Sequence, residues 1–316
     1  MPSRLKKILF VDTVHPILEE RLLELGYICD FDLSSSKEMV ENKLDQYFGL
    51  VIRSRFPIDE AFLNKATLLK FIARSGAGLE NINVAYAASK GITVFNSPEG
   101  NMDAVGEQAI GMLLMLFNQL KKGDLEVREG IWDREGNRGL ELSKKTVGII
   151  GYGNMGKALA EKLSGFGCRV IAYDKYKTNF ESTIVEEVSL ETIFNATDVL
   201  SIHLPLSTET HHYVNDAFLK KFKKPIYLIN TARGNNVCLA DLVAALKNNT
   251  VLGACLDVLE YETKSFENIN SKELPEDFKY LAQSDRVILS PHVAGWTAES
   301  YVKLSSFLAD KIEASF

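Results

Sequence analysis

The segment TVGIIGYGNMGKALAEKL (146–163) decides the fold of this chain. It begins with a strand-like run rich in Val and Ile and ends in the amphipathic pattern of a helix. The motif G-x-G-x-x-G lies between the two, from Gly151 to Gly156. The segment therefore predicts a buried strand, a tight turn and a helix, which is an arrangement that can bind a pyrophosphate.

The three glycines of the turn have different expected tasks. Gly151 allows the tight turn, Gly153 lets the backbone approach a pyrophosphate, and Gly156 lets the helix lie close to the strand. The N–H groups at the start of the helix and their partial positive charge complement an anion. A glycine-rich turn with no ligand is the alternative interpretation. We predict a dinucleotide site that is lined by Gly151, Tyr152, Gly153, Asn154, Met155 and Gly156.

The next strand, CRVIAYD (168–174), ends in Asp174, which follows Gly156 by 174 − 156 = 18 residues. A carboxylate at this place can accept hydrogen bonds from both ribose hydroxyls and repel a 2′-phosphate, so Asp174 predicts NAD as the cofactor. Lys175 is the feature that favours NADP, because its charge suits a phosphate.

Strand and helix patterns alternate along most of the chain. A parallel sheet that is covered on both sides gives strands that are apolar on both faces, so we predict an α/β fold with two doubly wound parallel sheets. The long amphipathic stretch 101–123 predicts one helix capped by Asp103 and ended by Gly123, and 124–145 predicts mostly loop. The predicted strands lie at 7–12, 49–54, 69–76, 92–98, 146–151, 168–174, 197–205, 225–232, 251–258 and 286–292, with helices at 16–26 and 297–314.

Composition excludes several classes of protein. The length of 316 residues suggests two domains, and 36 basic against 42 acidic residues give a net charge of −6, which does not suit nucleic-acid binding. No apolar run reaches the ~18 residues that a membrane span needs, and the N-terminus does not have the pattern of a signal peptide. Four widely spaced cysteines without interleaved histidines predict neither a metal site nor a disulfide framework. We therefore expect a cytoplasmic enzyme.

Three ionisable residues follow predicted strands in the second half of the chain: Arg233, Glu262 and His292. Open α/β sheets bind their ligands at this edge of the sheet. Oxidation of a 2-hydroxy acid by hydride transfer needs a base for the hydroxyl proton, which histidine supplies near neutral pH. A carboxylate can fix the tautomer of that histidine, and an arginine can bind the substrate carboxylate through two hydrogen bonds. A surface charge and a structural histidine are the alternatives.

Six segments give a resemblance to a known family, namely ARSGAGLENIN (73–83), GYGNMGKALAEKL (151–163), HLPLSTET (203–210), INTARG (229–234), GACLDVLEYE (253–262) and SPHVAGWT (290–297). In content and order they resemble the D-isomer-specific 2-hydroxyacid dehydrogenases, which include phosphoglycerate, glycerate and formate dehydrogenases. The resemblance implies two Rossmann-like domains and a reaction between a small anionic D-2-hydroxy acid and its 2-keto acid.

The resemblance also implies roles for individual residues. Arg233 binds the substrate carboxylate, His292 is the acid and base, and Glu262 is its partner. Asp257 contacts the nicotinamide amide, and the backbone of Ser75, Gly76, Ala77 and Gly78 receives the substrate carboxylate. Further predicted cofactor contacts are His203, for which structural packing is the alternative, with Leu204, Pro205, Thr210, Thr231, Ala232, Ala294 and Gly295.

Domain boundaries follow from the same resemblance. Residues 1–99 and 291–316 are expected to form the substrate domain, and residues 100–290 the inserted NAD-binding domain. The family resemblance implies a homodimer through the cofactor domain, to which the long helix (103–121) and the loop of Trp132 contribute, although Trp132 could be a simple core or loop anchor. Arg53 either binds the anionic substrate or forms a surface ion pair, and His211 and His212 are expected to be solvated.

The predicted function is an NAD-dependent oxidoreductase of a small D-2-hydroxy acid, with 3-phosphoglycerate, glycerate and glyoxylate or hydroxypyruvate as candidate substrates. A nicotinamide-gated binding protein, such as a redox-sensing corepressor with the same fold, is the alternative. Formate or phosphite oxidation would also suit the fold, but no residues for those substrates are identified.

Overall fold

The computed structural model describes residues 6–262 and 274–316. Residues 1–5, which belong to the N-terminal stretch without the pattern of a signal peptide, lie outside the described residues. The chain divides into two compact units. The first comprises the described residues up to Met102 together with Trp296–Phe316, and the second comprises those of Asp103–Gly295. The changeovers therefore follow Met102 and Gly295, whereas the sequence-based boundaries follow residues 99 and 290.

Strands and helices alternate in both units. The strands are β1 (Lys7–Phe10), β2 (Ile28–Phe31), β3 (Gly49–Ile52), β4 (Phe71–Arg74), β5 (Thr93–Asn96), β6 (Thr146–Ile150), β7 (Arg169–Tyr173), β8 (Glu186–Glu187), β9 (Val199–Ile202), β10 (Ile226–Asn230), β11 (Val251–Leu256) and β12 (Val287–Leu289). The α-helices are α1 (Ile17–Glu24), α2 (Lys37–Glu41), α3 (Glu60–Lys65), α4 (Val84–Ser89), α5 (Met102–Phe117), α6 (Leu120–Arg128), α7 (Asn154–Leu163), α8 (Leu190–Ala196), α9 (Asp216–Leu219), α10 (Leu239–Lys247), α11 (Glu276–Gln283) and α12 (Ala298–Glu313).

The first unit contains a parallel sheet with the order β2-β1-β3-β4-β5. Hydrophobic clusters cover both of its faces, as expected for strands that are apolar on both sides. Helix α12 belongs to this unit, because Leu308 and Ile312 pack in the same cluster as Leu18 of α1 and Phe10 of β1. The Nζ atom of Lys311 also lies 2.9 Å from Oε2 of Glu99. The C-terminal helix therefore completes the N-terminal sheet.

Strand β2 was not predicted from the sequence. It lies at the edge of the sheet, its residues are only partly buried, and the Phe31 side chain is 51% exposed. Its sequence, ICDF, lacks the continuous apolar run of a central strand. A strand at the edge of a sheet is less covered than a central strand, so its sequence needs no continuous apolar run.

The second unit contains a parallel sheet with the order β12-β11-β10-β9-β6-β7-β8. Strand β6, which leads into the glycine turn, lies between β9 and β7. One hydrophobic cluster joins α5 and α7 to the sheet, and another joins α8, α9, α10 and α11 to it. The predicted α/β class, with two parallel sheets, is confirmed. Within the described chain, no helix combines the length and the apolarity needed to cross a membrane.

The predicted single helix over 101–123 is wrong in its second half. Helix α5 ends at Phe117, and Gln119 takes a left-handed conformation with φ +49°. The carbonyl of Phe117 then accepts a hydrogen bond from the N–H of Leu140 at 3.0 Å. Helix α6 starts after this break, so Gly123 lies inside a helix and not at its end, and the first residues of the predicted loop are helical.

Candidate active site

The glycine turn between β6 and α7 contains two glycines that the fold itself requires. Gly151 has φ +91°, and a Cβ atom on it would lie 2.4 Å from the carbonyl oxygen of His203. A Cβ atom on Gly156 would lie 2.2 Å from the carbonyl oxygen of Gly151. A side chain at either position would clash with backbone atoms, so both glycines are needed for the close packing of α7 against the sheet.

Gly153 differs from the other two glycines. Its backbone is extended, and a Cβ atom on it would meet no atom within 4 Å. No side chain caps the first turn of α7, which begins at Asn154 directly after Gly153. Protein packing therefore leaves this place open, beside backbone N–H groups that suit a phosphate. The residues present fit a dinucleotide pyrophosphate.

Asp174 lies beside the glycine turn, at the carboxyl end of β7. Its Oδ2 accepts a hydrogen bond from the N–H of Tyr152 at 2.8 Å, and its Oδ1 accepts one each from the N–H groups of Tyr176 and Lys177 at 2.9 Å. Although burial alone would raise the pKa of Asp174, these three hydrogen bonds hold it below its ordinary value. Asp174 therefore carries a negative charge and also fixes the loop after β7.

The side chain of Tyr152 turns away from the turn. It is buried and stacks on Phe180 with 4.4 Å between ring centroids. Only its backbone is placed to line the predicted dinucleotide site, whereas Asn154 is exposed and Met155 is partly buried at the start of α7.

Two buried polar atoms follow the neighbouring strands β9 and β10. Neither Nδ1 of His203 nor Oγ1 of Thr231 has a hydrogen-bond partner among the described residues. The other ring nitrogen of His203 lies 2.9 Å from Oγ of Ser201, and burial lowers the pKa of His203 to about 4. His203 is therefore neutral near pH 7. Unpartnered buried polar atoms at this edge suit a polar ligand.

The other predicted cofactor residues near β9 have local roles. The hydroxyl of Thr210 donates to the carbonyl of Pro205 at 2.5 Å, and Leu204 packs on the core of the second unit. The N–H of Ala232 donates to the side-chain oxygen of Asn230 at 3.0 Å. Their contacts shape the loops after β9 and β10.

Glu262 and His292 are in direct contact. The Nδ1 atom of His292 lies 2.6 Å from Oε2 of Glu262, while Oε1 of Glu262 accepts the N–H of Leu259 at 2.5 Å. Both side chains are largely buried. Because a carboxylate can only accept, Nδ1 of His292 carries the proton, and proton exchange with a ligand falls to Nε2.

Asp257 holds the turn that carries His292, a role that the sequence did not reveal. Its buried carboxylate accepts hydrogen bonds from the N–H groups of Val293 at 2.9 Å and Ala294 at 2.8 Å, and from the Ser290 hydroxyl at 2.6 Å. The carbonyl of Asp257 also accepts the N–H of His292 at 2.8 Å. His292 has φ +54°, which is uncommon for a side chain of this size, so these contacts maintain a strained backbone. Gly295, with φ +93°, ends the turn.

Arg233 follows β10, and its Nη1 atom donates to the carbonyl of Ala232 at 2.6 Å. A Cβ atom on Gly234 would lie 2.1 Å from the carbonyl carbon of Leu259, so the backbone after Arg233 touches the loop that carries Glu262. This close approach brings the Arg233 and Glu262 segments together at one edge of the sheet. A larger residue than glycine at position 234 would separate them.

The remaining predicted substrate residues lie in the first unit. The guanidinium of Arg53 lies 4.5 Å from the ring centroid of Trp296, and its backbone N–H donates to Oδ2 of Asp12 at 2.6 Å. Ser75 and Gly76 are buried in the loop after β4, and the carbonyl of Ala77 accepts Nδ2 of Asn96 at 2.6 Å. Gly78 follows them in the same loop and is partly buried.

His212 is partly exposed, and it also has a protein partner that was not predicted from the sequence. Its Nε2 atom lies 2.5 Å from Oε1 of Glu260, whose Oε2 accepts the N–H of Leu239 at 2.8 Å at the start of α10. His211 is exposed, as expected. Among the described residues, no group of three or more His, Cys, Asp or Glu side chains could hold a metal ion.

Comparison with known proteins decides the family. The family model described as D-isomer specific 2-hydroxyacid dehydrogenase, NAD binding domain, matches residues 110–294, more than half of the chain. The chain belongs to this family. A hydroxypyruvate reductase of Thermotoga maritima is 35% identical over 83% of this chain and 83% of its own length. A glyoxylate reductase of Thermofilum pendens is 36% identical over 94% of this chain and 88% of its own length.

The chain spans about half the length of the curated phosphoglycerate dehydrogenases that it matches. The enzyme of Archaeoglobus fulgidus, for example, is 30% identical over 97% of this chain and 56% of its own length. Solved structures of similar fold include a D-lactate dehydrogenase of Aquifex aeolicus complexed with NAD and lactic acid, with a TM-score of 0.82, 27% identity and coverage of 98% of this chain and 95% of that one. Another is an NADPH-dependent glyoxylate/hydroxypyruvate reductase of Sinorhizobium meliloti, with a TM-score of 0.79, 28% identity and coverage of 98% and 93%.

Family membership confirms the predicted resemblance, the class of enzyme and the nicotinamide cofactor. The protein is an NAD-dependent oxidoreductase of the 2-hydroxyacid dehydrogenase family, acting on a CH–OH group. The roles of individual residues and the division into substrate and cofactor domains stay predictions.

Proposed function

We propose that this protein interconverts a small D-2-hydroxy acid and its 2-keto acid with NAD(H), and that glyoxylate or hydroxypyruvate is the keto acid. The observation that carries the proposal is the pairing of His292 with Glu262 at 2.6 Å, in the same unit as a glycine turn that fits a dinucleotide. The preference for an unphosphorylated keto acid rests on the higher identity to the hydroxypyruvate and glyoxylate reductases, 35% and 36%, than to the phosphoglycerate dehydrogenase, 30%.

The proposed roles follow from the chemistry of the side chains. When bound, the nicotinamide accepts or supplies a hydride at the substrate carbon that carries the oxygen. His292 exchanges the proton of that oxygen through Nε2, because Nδ1 is committed to Glu262. Glu262 stabilises the imidazolium that forms during oxidation and keeps the ring in one tautomer. In this direction the alcohol loses a hydride and a proton and becomes a carbonyl group.

Binding of the substrate carboxylate is assigned to Arg233. A guanidinium offers two parallel N–H groups that match a carboxylate, and the backbone of Arg233 is fixed by Asn230, whose Nδ2 donates to its carbonyl at 2.9 Å. The predicted substrate roles of Arg53, Ser75, Gly76, Ala77 and Gly78 are part of the same proposal. The first unit is proposed as the substrate domain and the second as the cofactor domain.

The test is a panel of 2-keto acids in the presence of NADH, with glyoxylate, hydroxypyruvate, pyruvate and 3-phosphohydroxypyruvate compared by kcat/KM. The proposal predicts turnover, with an unphosphorylated acid preferred. A preference for the phosphorylated acid would contradict the choice of substrate. Saturable NADH binding without turnover of any acid would instead support the nicotinamide-gated binding protein.

We propose in addition that the protein forms a homodimer through α6 and the loop after it. None of the residues of helix α6 is buried, and its apolar residues Leu125 and Val127 are about half exposed. Trp132, in the loop after the helix, is 77% exposed. Exposed apolar residues that lie close together in the chain favour a protein interface. A second copy of this chain is the proposed partner, and the cytoplasm, which holds the nicotinamide pool, is the proposed location.

Light scattering after size exclusion tests the dimer. Leu125→Asp combined with Trp132→Asp is expected to give a monomer. Met39→Asp, at an apolar residue of α2 whose exposed fraction of 60% lies between those of Leu125 and Trp132, is expected to leave the dimer intact. A dimer that persists in the double variant would contradict this interface.

A further inference from the structure

We infer that Glu209 is a specificity-determining residue that masks Lys175 and thereby disfavours the 2′-phosphate of NADP. The inference deepens the proposed cofactor site and rests on the placement of the adenosine ribose at Asp174. It concerns an ion pair on two loops of the second unit.

The ion pair joins the loops on either side of the glycine turn. Lys175 follows Asp174 directly after β7, and Glu209 lies in the turn that follows β9. Because β6 lies between β9 and β7 in the sheet, these two loops flank the segment Gly151–Gly156. The carboxylate of Glu209 contacts Nζ of Lys175 through one oxygen and the hydroxyl of Tyr176 through the other. Both contacts therefore bridge the two sides of the predicted adenosine site.

The turn that carries Glu209 is well ordered by its own hydrogen bonds. The N–H of Ser207 donates to Oγ1 of Thr210 at 2.8 Å, and Thr210 in turn donates to the carbonyl of Pro205 at 2.5 Å. Asn236 contributes a further hydrogen bond from Nδ2 to the carbonyl of Thr210 at 3.1 Å. These hydrogen bonds hold the turn of Glu209 in place, opposite the loop of Lys175.

The ion pair affects binding of the 2′-phosphate, which is the group that distinguishes NADP from NAD. A lysine beside the ribose carboxylate would attract a 2′-phosphate, which is why Lys175 favours NADP in the sequence. In the structure the Lys175 charge is neutralised by Glu209. The pKa of Glu209 is lowered mainly by its hydrogen bond from Lys175 and to a smaller extent by the one from Tyr176. The other nearby lysine, Lys177, donates to the carbonyl of Tyr152 at 3.2 Å. Asp174 and Glu209 therefore offset the charges of Lys175 and Lys177, and no net positive charge is left where the phosphate would bind.

The test measures the dissociation constants of NADH and NADPH by nicotinamide fluorescence, with no substrate present. In Glu209→Gln, the amide can still accept from Tyr176 but no longer neutralises Lys175. Without this neutralisation, Lys175 can form a charge-assisted hydrogen bond to the 2′-phosphate, and the exposure of the lysine to solvent limits its strength. The NADPH dissociation constant is therefore expected to fall by about tenfold. The NADH dissociation constant is expected to change by less than about twofold, because NADH has no 2′-phosphate.

A second substitution distinguishes the masking of Lys175 from direct repulsion between the Glu209 carboxylate and the 2′-phosphate. In Glu209→Gln combined with Lys175→Met, the inference predicts that NADPH affinity returns to the wild-type value. Glu276→Gln is the matched control, because Glu276 is exposed and paired with Lys279 at 2.6 Å on α11, which packs against β12 at the opposite edge of the sheet. It removes the same charge and is expected to leave both dissociation constants unchanged.

The inference is overturned by an unchanged NADPH dissociation constant in Glu209→Gln, or by an equal gain in the double variant. The failure of the proposed function has a different signature, since wild-type protein would then turn over none of the keto acids, whether or not it binds NADH. Higher ionic strength is expected to reduce the gain, because an exposed phosphate contact is screened by salt.

Discussion

The Nδ1 atom of His292 lies 2.6 Å from Oε2 of Glu262, and the strained backbone of His292 is held by Asp257. These three residues come from the segments that follow β11 and β12, two neighbouring strands of one parallel sheet. The contact gives the imidazole one tautomer and directs Nε2 to the proton transfer of the proposed reaction. The other side chains of the proposal act on the substrate or on the nucleotide.

His292→Asn is expected to leave a folded protein that binds NADH but turns over slowly. Asparagine cannot exchange a proton near neutral pH, so kcat falls by roughly 10²–10⁴, the usual contribution of a positioned acid or base. Steady-state kinetics together with NADH fluorescence titration check this. Wild-type turnover in the variant would show that His292 does not carry out the proton transfer.

Arg233→Lys is expected to abolish most activity and to leave NADH binding near normal. Lysine keeps the charge but cannot form the planar two-bond contact with a carboxylate, so the substrate loses its orientation. The measurement is kcat/KM for the preferred keto acid, with the NADH dissociation constant as the control. If kcat/KM is unchanged, Arg53 becomes the better candidate for the carboxylate.

Gly153→Ala and Gly156→Ala form a matched pair within the glycine turn. A Cβ atom at position 153 meets no protein atom within 4 Å, whereas one at position 156 lies 2.2 Å from the carbonyl oxygen of Gly151. Gly153→Ala is therefore expected to keep the wild-type melting temperature and lose NADH affinity, while Gly156→Ala lowers the melting temperature. Thermal unfolding and NADH titration distinguish the two, and normal NADH affinity in Gly153→Ala would contradict the pyrophosphate site.

Asp174→Ala is expected to weaken both NADH binding and the fold. Loss of charged hydrogen bonds to the ribose should reduce NADH affinity by about tenfold to a hundredfold. Because the pKa of Asp174 is lowered in the folded protein, its ionised form stabilises the fold at neutral pH. That contribution declines as the pH falls from about 4 through the lower pKa of the folded state.

Urea unfolding of the wild type and of Asp174→Ala at several pH values measures this contribution. The difference in unfolding free energy is expected to be largest near pH 7 and to narrow below about pH 4. A difference that stays constant down to pH 3, or unchanged NADH affinity, would show that Asp174 does not act as described.

The sequence was sufficient to predict most strands and the glycine turn, for identifiable reasons. Central parallel strands such as β6 and β10 are apolar on both faces, so their runs of Val and Ile are visible in the sequence. Strand β2 was missed because an edge strand needs no such run. The break after Phe117 was missed because it depends on Gln119 in a left-handed conformation and on a distant donor, Leu140.

Side-chain partners were harder to predict than the elements that carry them. The resemblance supplied Glu262 as the partner of His292, and the structure brings the two into contact. The bracing of the His292 turn by Asp257 involves residues more than thirty positions apart, with no local signal. The pair of His212 with Glu260 was missed for the same reason, since His212 lies in a polar turn that reads as solvated.

The most direct test of the proposed mechanism is a pair of pH–rate profiles, one in each direction, for wild type and Glu262→Gln. Glutamine keeps the size of the side chain but removes the negative charge that stabilises the imidazolium of His292. Glu260→Gln is the matched control, because Glu260 belongs to the same loop but contacts His212. Its profiles are expected to keep the wild-type limbs.

Oxidation needs the neutral imidazole of His292 and reduction needs its protonated form. In Glu262→Gln, the acid limb for oxidation and the alkaline limb for reduction should therefore both move to lower pH. The maximum rate should fall in both directions, because the ring loses its fixed tautomer. Limbs that stay in place or move to higher pH would contradict the account, and Glu262 would then not be the catalytic partner of His292.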